Sequence, residues 1–270
     1  MDELRLLQDN YGFDFFYILD DTFGIKEDDI SSFCKAYQES GLTMLWAAET
    51  RVNCIKNEAI VKLLKESGCI QLDFGVETGS PKLLKVIHKG TTVEQTVQAF
   101  SYCRKYGIRT FANILLNLPT EDEEDLALTR KLLATIKPTY TSVGVTQPYP
   151  GTDIYKMLEK PISKEDYGEL DRISPPEKYR FSKHKYNLKR LLFLWHLKYG
   201  VMTPFEKSLY RADRYYWAKI LGSNRKWAYV RYLFKELIVT PLYYVYSFRL
   251  LLPDKGKLFL DSVMIGRRKN

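Results

Sequence analysis

The sequence predicts an α/β fold in which parallel strands alternate with helices, followed by a mostly helical C-terminal extension. Two observations indicate this arrangement. Short apolar segments begin near residues 14, 43, 69, 108 and 141, and segments of helical period lie between them. Beyond residue 161 the strand pattern stops, and helix-like segments rich in Tyr and Trp follow. A closed barrel, a partial barrel and an open sheet all fit this pattern.

Each predicted element has a local signal. Ser80 followed by Pro81 predicts a helix start, as does Thr92 with Glu94 and Gln95 in the next turn. Thr120 precedes an acidic run and is the expected N-cap of another helix. The predicted strands are residues 15–19, 43–48, 69–77, 108–116 and 141–145. The predicted helices are residues 1–11, 28–40, 58–66, a helix from 82, 92–107, and one from 120 to before 138.

Polar side chains follow every predicted strand. In a parallel sheet the C-terminal strand ends meet at one edge, which is where ligands bind. We therefore expect one cavity to be lined by Asp20, Asp21, Glu49, Arg51, Glu77, Asn117 and Gln147. Gly75 and Gly79 flank Glu77 and allow a sharp turn or a close approach to a ligand. In the alternative interpretation Glu77 only caps the following helix.

Basic charge is concentrated in the C-terminal third. From Lys178 onward there are 21 Lys and Arg against 5 Asp and Glu, a net charge of +16, whereas residues 1–177 carry −8. Two interpretations fit the Tyr and Trp residues among these charges. One is a helical cap whose aromatic side chains pack on the barrel and whose Lys and Arg side chains are solvated; the other is peripheral contact with an anionic membrane through residues 178–270. No nucleic-acid-binding motif accompanies the charge, which argues against a nucleic-acid partner.

The N-terminal residues have no apolar core of a signal peptide, and no run of 18 uncharged apolar residues occurs. The four cysteines, Cys34, Cys54, Cys69 and Cys103, have no metal-binding spacing. These features predict a reduced, cytoplasmic setting, with any membrane contact peripheral at the inner face.

Several strand ends together resemble the radical S-adenosylmethionine (radical SAM) core, and within it the subgroup often fused to a cobalamin-binding domain. The similar runs are residues 16–23, 48–51, 74–80 and 113–122, followed by a Pro-Tyr-Pro-Gly-Thr loop. The resemblance implies a partial (β/α) barrel over residues 1–160 that lacks its first strand and cluster loop, and a basic helical extension over residues 161–270.

The resemblance also implies that S-adenosylmethionine binds at the strand ends. Asp20 and Asp21 would lie near its methionyl part, Glu77 near its ribose or amino acid part, and residues 115–119 along its adenine. Arg51 would hold the methionyl carboxylate or pair with a neighbouring glutamate. The implied cofactor-binding residues are Asp20, Asp21, Glu49, Arg51, Glu77, Thr78, Ser80, Asn117 and Gln147.

Two departures from the family pattern affect the expected function. Asn117 and Thr120 replace glycines that are usual at the fourth strand end. The three closely spaced cysteines that hold the family's [4Fe-4S] cluster do not occur, so we expect the chain to cleave S-adenosylmethionine only together with such a loop.

The resemblance thus favours the C-terminal portion of a radical SAM enzyme, with catalytic residues unassigned and the substrate unknown. A catalytically silent scaffold that binds a partner or membrane through its tail is the alternative. An unrelated β/α-barrel enzyme that uses Glu77 and Asp21 as acid and base fits less well, because no nucleophile or phosphate loop accompanies them.

Overall fold

The computed structural model describes residues 1–158, 161–167, 177–185, 187–195 and 199. The chain divides into two compact units, Met1–Lys185 and Tyr186–Asn270. The first unit extends past residue 160, where the sequence pattern changes, because residues 181–185 are hydrogen-bonded to the loop and helix that follow the fourth strand. Most of the predicted basic extension lies outside the described residues, so its lipid contact stays a prediction.

Five strands and eight α-helices occupy the described residues. The strands are β1 (Phe15–Ile18), β2 (Leu45–Thr50), β3 (Cys69–Glu77), β4 (Arg109–Leu116) and β5 (Tyr140–Val145). The helices are α1 (Asp2–Tyr11), α2 (Glu27–Glu39), α3 (Glu58–Glu66), α4 (Pro81–Val86), α5 (Val93–Lys105), α6 (Glu123–Ile136), α7 (Asp153–Lys156) and α8 (Leu188–Trp195).

The five strands form one parallel sheet in sequential order, β1 to β5, which confirms the predicted α/β class. Crossovers between parallel strands are almost always right-handed, so a sequential order places successive helices on the same face. Burial agrees, since alternate residues of β3 and β4 are buried while those between them keep partial exposure. The helices therefore cover one face, and the second face carries the polar side chains of the strands.

An aromatic cluster packs α2 onto β2. The Trp46 ring is fully buried and lies 5.2 Å from Phe33 and 5.5 Å from Phe23, both edge-on. Its indole N–H donates to the Ser67 carbonyl at 2.8 Å, so the buried polar atom is satisfied. Burial of these aromatic side chains holds α2 against β2.

Helix starts largely follow the predicted signals. Ser80 and Thr92 cap α4 and α5, accepting from the backbone N–H of Leu83 and Gln95. The prediction for α6 was wrong, because Asp122 and not Thr120 is its N-cap. Asp122 accepts from two backbone N–H groups, and Asp125 accepts in return from the Asp122 N–H at 3.0 Å, a reciprocal pair that Thr120 lacks.

Among the described residues, no helix is both long enough and apolar enough to cross a lipid bilayer.

Candidate functional site

A cleft of about 480 Å³ opens at the C-terminal ends of the first four strands. Its volume lies in the range of small-molecule sites. Residues in or directly after β1, β2, β3 and β4, and in the loop after α4, line it: Asp21, Thr22, Glu49, Thr50, Arg51, Asp73, Glu77, Ile87, His88, Lys89 and Asn113, together with Gly75. Four acidic and two basic side chains thus face one cavity.

Glu77 stands at the end of β3 in a left-handed backbone conformation, with φ 63°. The pairing with β4 shifts register between Gly75 and Glu77, so a bulge redirects the strand end. A non-glycine residue in this conformation is strained, and such strain is concentrated at functional sites. The Glu77 carboxylate accepts from Lys89 Nζ at 2.6 Å across the cleft.

Arg51 enters the cleft from the end of β2. Its Nη2 donates to the Lys89 carbonyl, while its Nε is buried without a hydrogen-bond partner. A buried, unsatisfied guanidinium N–H is costly, and a ligand oxygen would remove that cost. The geometry therefore suits Arg51 to binding an anionic group.

Three side chains on the polar face of the sheet, Tyr17, Asp73 and Gln71, are hydrogen-bonded to one another. The Tyr17 hydroxyl donates to Asp73 Oδ2 at 2.6 Å, and Gln71 Nε2 donates to Asp73 Oδ1 at 2.8 Å. Burial raises the pKa of the Asp73 carboxyl, against the effect of these two donors, and burial together with Asp73 raises the pKa of Tyr17. Glu49 lies beside Asp73 in register, 3.5 Å from the Tyr17 hydroxyl.

Thr78 and Ser80 lie behind the cleft and bind protein groups. The Ser80 hydroxyl donates to Asp125 Oδ1 at 2.6 Å, and the Thr78 and Thr129 hydroxyls are 3.0 Å apart. Both residues are buried and neither lines the cleft. Gly79 touches α6 so closely that a Cβ would lie 2.6 Å from the Leu128 carbonyl oxygen.

Asn117 is fully buried at the end of β4, and its side chain is engaged by the protein. Its Oδ1 accepts from the backbone N–H groups of Phe181 and Ser182 at 2.9 and 3.2 Å. Its Nδ2 donates to the Thr146 carbonyl at 3.3 Å. Asp20 is exposed after β1, Gln147 is half-buried after β5, and neither lines the cleft.

The structure thus brings four of the predicted residues together in the cleft, namely Asp21, Glu49, Arg51 and Glu77. The cleft also contains residues that were not predicted from the sequence, among them the polar side chains of Asp73, Asn113 and Lys89. Asp73 and Asn113 lie at partly exposed positions of β3 and β4. A polar residue within an otherwise apolar strand was the sequence signal that could have identified them. Lys89 had no comparable signal, because its position depends on the turn that ends α4.

The cysteines do not fit a [4Fe-4S] cluster. Cys34, Cys54, Cys69 and Cys103 are all buried, and no group of three metal-ligating side chains occurs in the described part of the chain. Burial raises the pKa of the Cys34, Cys69 and Cys103 thiols, whereas cluster ligands are thiolates.

A parallel α/β domain with a polar cleft at its strand ends is an architecture used by many enzymes. A comparison with known protein families gives a more specific result than the architecture does. Residues 5–133 match the Radical SAM superfamily.

Two curated relatives show how much of a longer protein the chain matches. An uncharacterized methyltransferase of Pyrococcus horikoshii is 31% identical over 156 residues, which are 58% of this chain and 34% of the relative. The anaerobic magnesium-protoporphyrin IX monomethyl ester cyclase of Rubrivivax gelatinosus is 26% identical over 65% of this chain and 32% of the relative. The chain therefore spans about a third of the length of these relatives.

Among solved structures, the chain is similar to the radical S-adenosylmethionine methyltransferase TsrM of Kitasatospora setae. The sequence identity is 21% and the TM-score 0.48, over 58% of this chain and 32% of that one.

Proposed function

We propose that the cleft binds S-adenosylmethionine and that the chain works as part of a radical SAM enzyme. The observation that carries the proposal is the convergence of Asp21, Glu49, Arg51 and Glu77 in one cleft at the strand ends. The superfamily match over residues 5–133 supports the same ligand. Methyl transfer is the favoured reaction class, since the relative at 31% identity is named a methyltransferase.

The donor set fits the chemistry of this ligand. S-adenosylmethionine has an ammonium group and ribose hydroxyls, for which the carboxylates of Asp21, Glu49 and Glu77 are suitable acceptors. The Arg51 guanidinium, with its buried Nε unsatisfied, is a suitable donor to the methionyl carboxylate. When bound in enzymes of this kind, S-adenosylmethionine supplies the methyl group or the radical precursor, and this chain's residues bind and orient it.

Calorimetric titration of the purified chain tests the proposal. We expect saturable binding of S-adenosylmethionine, and at least tenfold weaker binding to Glu77→Gln, because one charge-assisted contact is lost. Glu39→Gln is the matched control, since Glu39 is an exposed glutamate on α2 outside the cleft. Absence of binding to the wild-type chain at millimolar ligand, or equal affinity in Glu77→Gln and Glu39→Gln, would contradict the proposal.

A further inference from the structure

The cleft continues from the strand ends onto the face of the sheet that the helices leave uncovered. Asp73, Gly75 and Asn113 line it from within β3 and β4, and Asp73 is four residues before the end of β3. At about 3.3 Å per residue, Asp73 lies about 13 Å along the strand from Glu77. The Glu77–Lys89 ion pair lies over Gly75, where a Cβ would be 2.6 Å from Glu77 Oε1 and 2.7 Å from Lys89 Nζ. The ion pair therefore separates the strand ends from a deeper part of the cleft beside Asp73 and Asn113, here called the sheet pocket.

Two hydrogen bonds hold the Asp73 carboxyl in the sheet pocket. The Tyr17 hydroxyl donates to Oδ2 at 2.6 Å, and Gln71 Nε2 donates to Oδ1 at 2.8 Å. Tyr17 belongs to β1 and reaches β3 across β2, where the residue in register with it is the small Ala47, only 1% exposed. Each carboxyl oxygen keeps a second acceptor position, so Asp73 can accept from a ligand without giving up either bond.

The charge of Asp73 is poorly compensated by the protein. Burial raises the pKa of its carboxyl, and the opposing effects of Tyr17, Gln71 and Arg109 do not reverse the direction. The two basic side chains that line the cleft have other partners, since Arg51 donates to the Lys89 carbonyl and Lys89 Nζ pairs with Glu77. A cation in the sheet pocket would therefore stabilise the ionised form of Asp73.

Aromatic rings lie beside Asp73 on the same face of the sheet. Phe111 is in register with Asp73 on β4, and Tyr140 is in register with Phe111 on β5. The centroids of the two rings are 5.6 Å apart, and both residues are half-buried. A carboxyl next to aromatic rings is complementary to an amine carried on an aromatic ring, because the cation pairs with the carboxyl and the ring packs on the rings of the protein.

We propose that the sheet pocket is a second binding site of the cleft, which takes a protonated amine attached to an aromatic ring. Asp73 is its specificity-determining residue and accepts from the amine, and Phe111 packs against the ligand's ring. This ligand then lies beside S-adenosylmethionine as the second reactant, a role that rests on the proposed function. Binding of the amine itself does not depend on that function.

Three probes that share one ring and differ in charge test this specificity: benzylamine, benzyl alcohol and benzoate. Their affinities for the full chain are measured by NMR titration, with and without saturating S-adenosylmethionine. We expect wild type to bind benzylamine at least about tenfold more tightly than benzoate, with benzyl alcohol in between. Because the two ligands occupy different parts of the cleft, S-adenosylmethionine should change the affinity for benzylamine by less than about threefold.

Asp73→Asn removes the charge and keeps the size and an acceptor oxygen. It should weaken benzylamine binding about tenfold and change benzyl alcohol binding by less than about twofold. Asp9→Asn is the matched control and should match wild type, since Asp9 is an exposed residue of α1 outside the cleft. The decisive quantity is the ratio of the affinities for benzylamine and benzyl alcohol, because a reduced folded fraction weakens both equally. Phe111→Leu should weaken both of these probes, by about threefold.

The possible outcomes separate the inference from the proposed function. Absence of benzylamine binding, equal affinity for benzylamine and benzoate, or an unchanged ratio in Asp73→Asn would overturn the inference. Displacement of benzylamine by S-adenosylmethionine would show that both use one site, which also overturns the inference and leaves the proposed function intact. If S-adenosylmethionine does not bind while benzylamine keeps its dependence on Asp73, the proposed function is wrong and the amine site stands.

Discussion

Asn117 and Ser182 are joined by two hydrogen bonds: Asn117 Oδ1 accepts from the Ser182 backbone N–H and from its hydroxyl, both at 3.2 Å. Asn117 therefore holds a segment of residues 181–185, here called the strap, over the loop that follows β4. Two further bonds fix the strap, from the Lys183 N–H to the Glu121 carbonyl at 2.6 Å and from the Lys185 N–H to Glu123 Oε1 at 3.0 Å.

Replacing Asn117 should release the strap. Asn117→Ala removes a buried acceptor of three contacts and keeps a left-handed backbone, and we expect it to lower the free energy of unfolding by about 2–4 kcal/mol. Asn117→Gly loses the same contacts without the backbone strain, so its loss should be about 1 kcal/mol smaller. Urea denaturation measures both values.

Amide hydrogen exchange provides the local readout for these variants. The amides of Phe181 and Ser182 should exchange faster in both variants than in wild type, while β3 amides keep their protection until global unfolding. Unchanged exchange of the strap amides would show that Asn117 does not hold it.

Thr120 offers a stabilising substitution. It is exposed and β-branched, yet its φ is 66°, a conformation that favours glycine. Thr120→Gly should raise the free energy of unfolding by about 1 kcal/mol, since relief of strain exceeds the entropy that glycine adds to the unfolded chain.

The matched control for this substitution is Thr135→Gly, at an exposed position within α6. It should lower the free energy of unfolding by about 0.5 kcal/mol, because glycine is less favourable than threonine within a helix. A loss of stability in both variants would mean that the Thr120 backbone is not strained.

Asn117 and Thr120 show what the sequence predicts and what it does not. The radical SAM core that the sequence resembles usually has glycines at these positions. Both residues nevertheless have a left-handed backbone, so the loop keeps the shape that glycines would give it. The strap could not be predicted, because its bonds to Asn117 join residues 64 and 65 positions apart and have no local signature.

The cleft likewise contains some residues that the sequence predicts and others that it does not. Glu77 and Arg51 were predictable because strand ends in a parallel sheet converge, whatever the details of packing. Lys89 was not, since it reaches the cleft only through a left-handed residue at His88, which the sequence does not mark with a glycine. Thr78 and Ser80 follow Glu77 directly but face α6, since Gly79 brings the turn against that helix.

Gly79 is the next test of the fold. A Cβ at this position would lie 2.6–2.8 Å from backbone atoms of Leu128 and Thr129, and backbone cannot move aside as a flexible side chain does. Gly79→Ala should therefore push α6 away from the β3–α4 turn and lower the free energy of unfolding by about 3 kcal/mol or more.

Gly144→Ala serves as its control. There the added Cβ meets Leu115 Cδ2 at 3.4 Å, an ordinary contact, and we expect a change within about 1 kcal/mol. Thermal and urea unfolding of the two variants measure the difference. Equal stability of Gly79→Ala and Gly144→Ala would contradict the close packing of α6 on this turn.

Glu121 should make stability depend on pH. Its side chain is 2% exposed in the loop after β4, and its Oε2 accepts from the Leu118 N–H at 3.1 Å. Burial raises the pKa of the Glu121 carboxyl to about 8, with a further increase from Asp125 and opposing effects of backbone donors and Arg180. In the unfolded chain the pKa of this carboxyl returns to about 4.3.

Between about pH 4.3 and pH 8 the folded protein keeps a proton on Glu121 that the unfolded chain has released. The free energy of unfolding therefore falls as pH rises through this window, by at most about 1.4 kcal/mol per pH unit, and the loss is complete above pH 8. Glu121→Gln is neutral at every pH and keeps an acceptor oxygen. Relative to wild type it should be similar in stability near pH 5 and more stable by a few kcal/mol near pH 8.5. Urea denaturation at both pH values, with the exposed Glu66→Gln as control, measures this difference; a Glu121→Gln effect that is constant with pH would show that Glu121 is ionised in the folded protein.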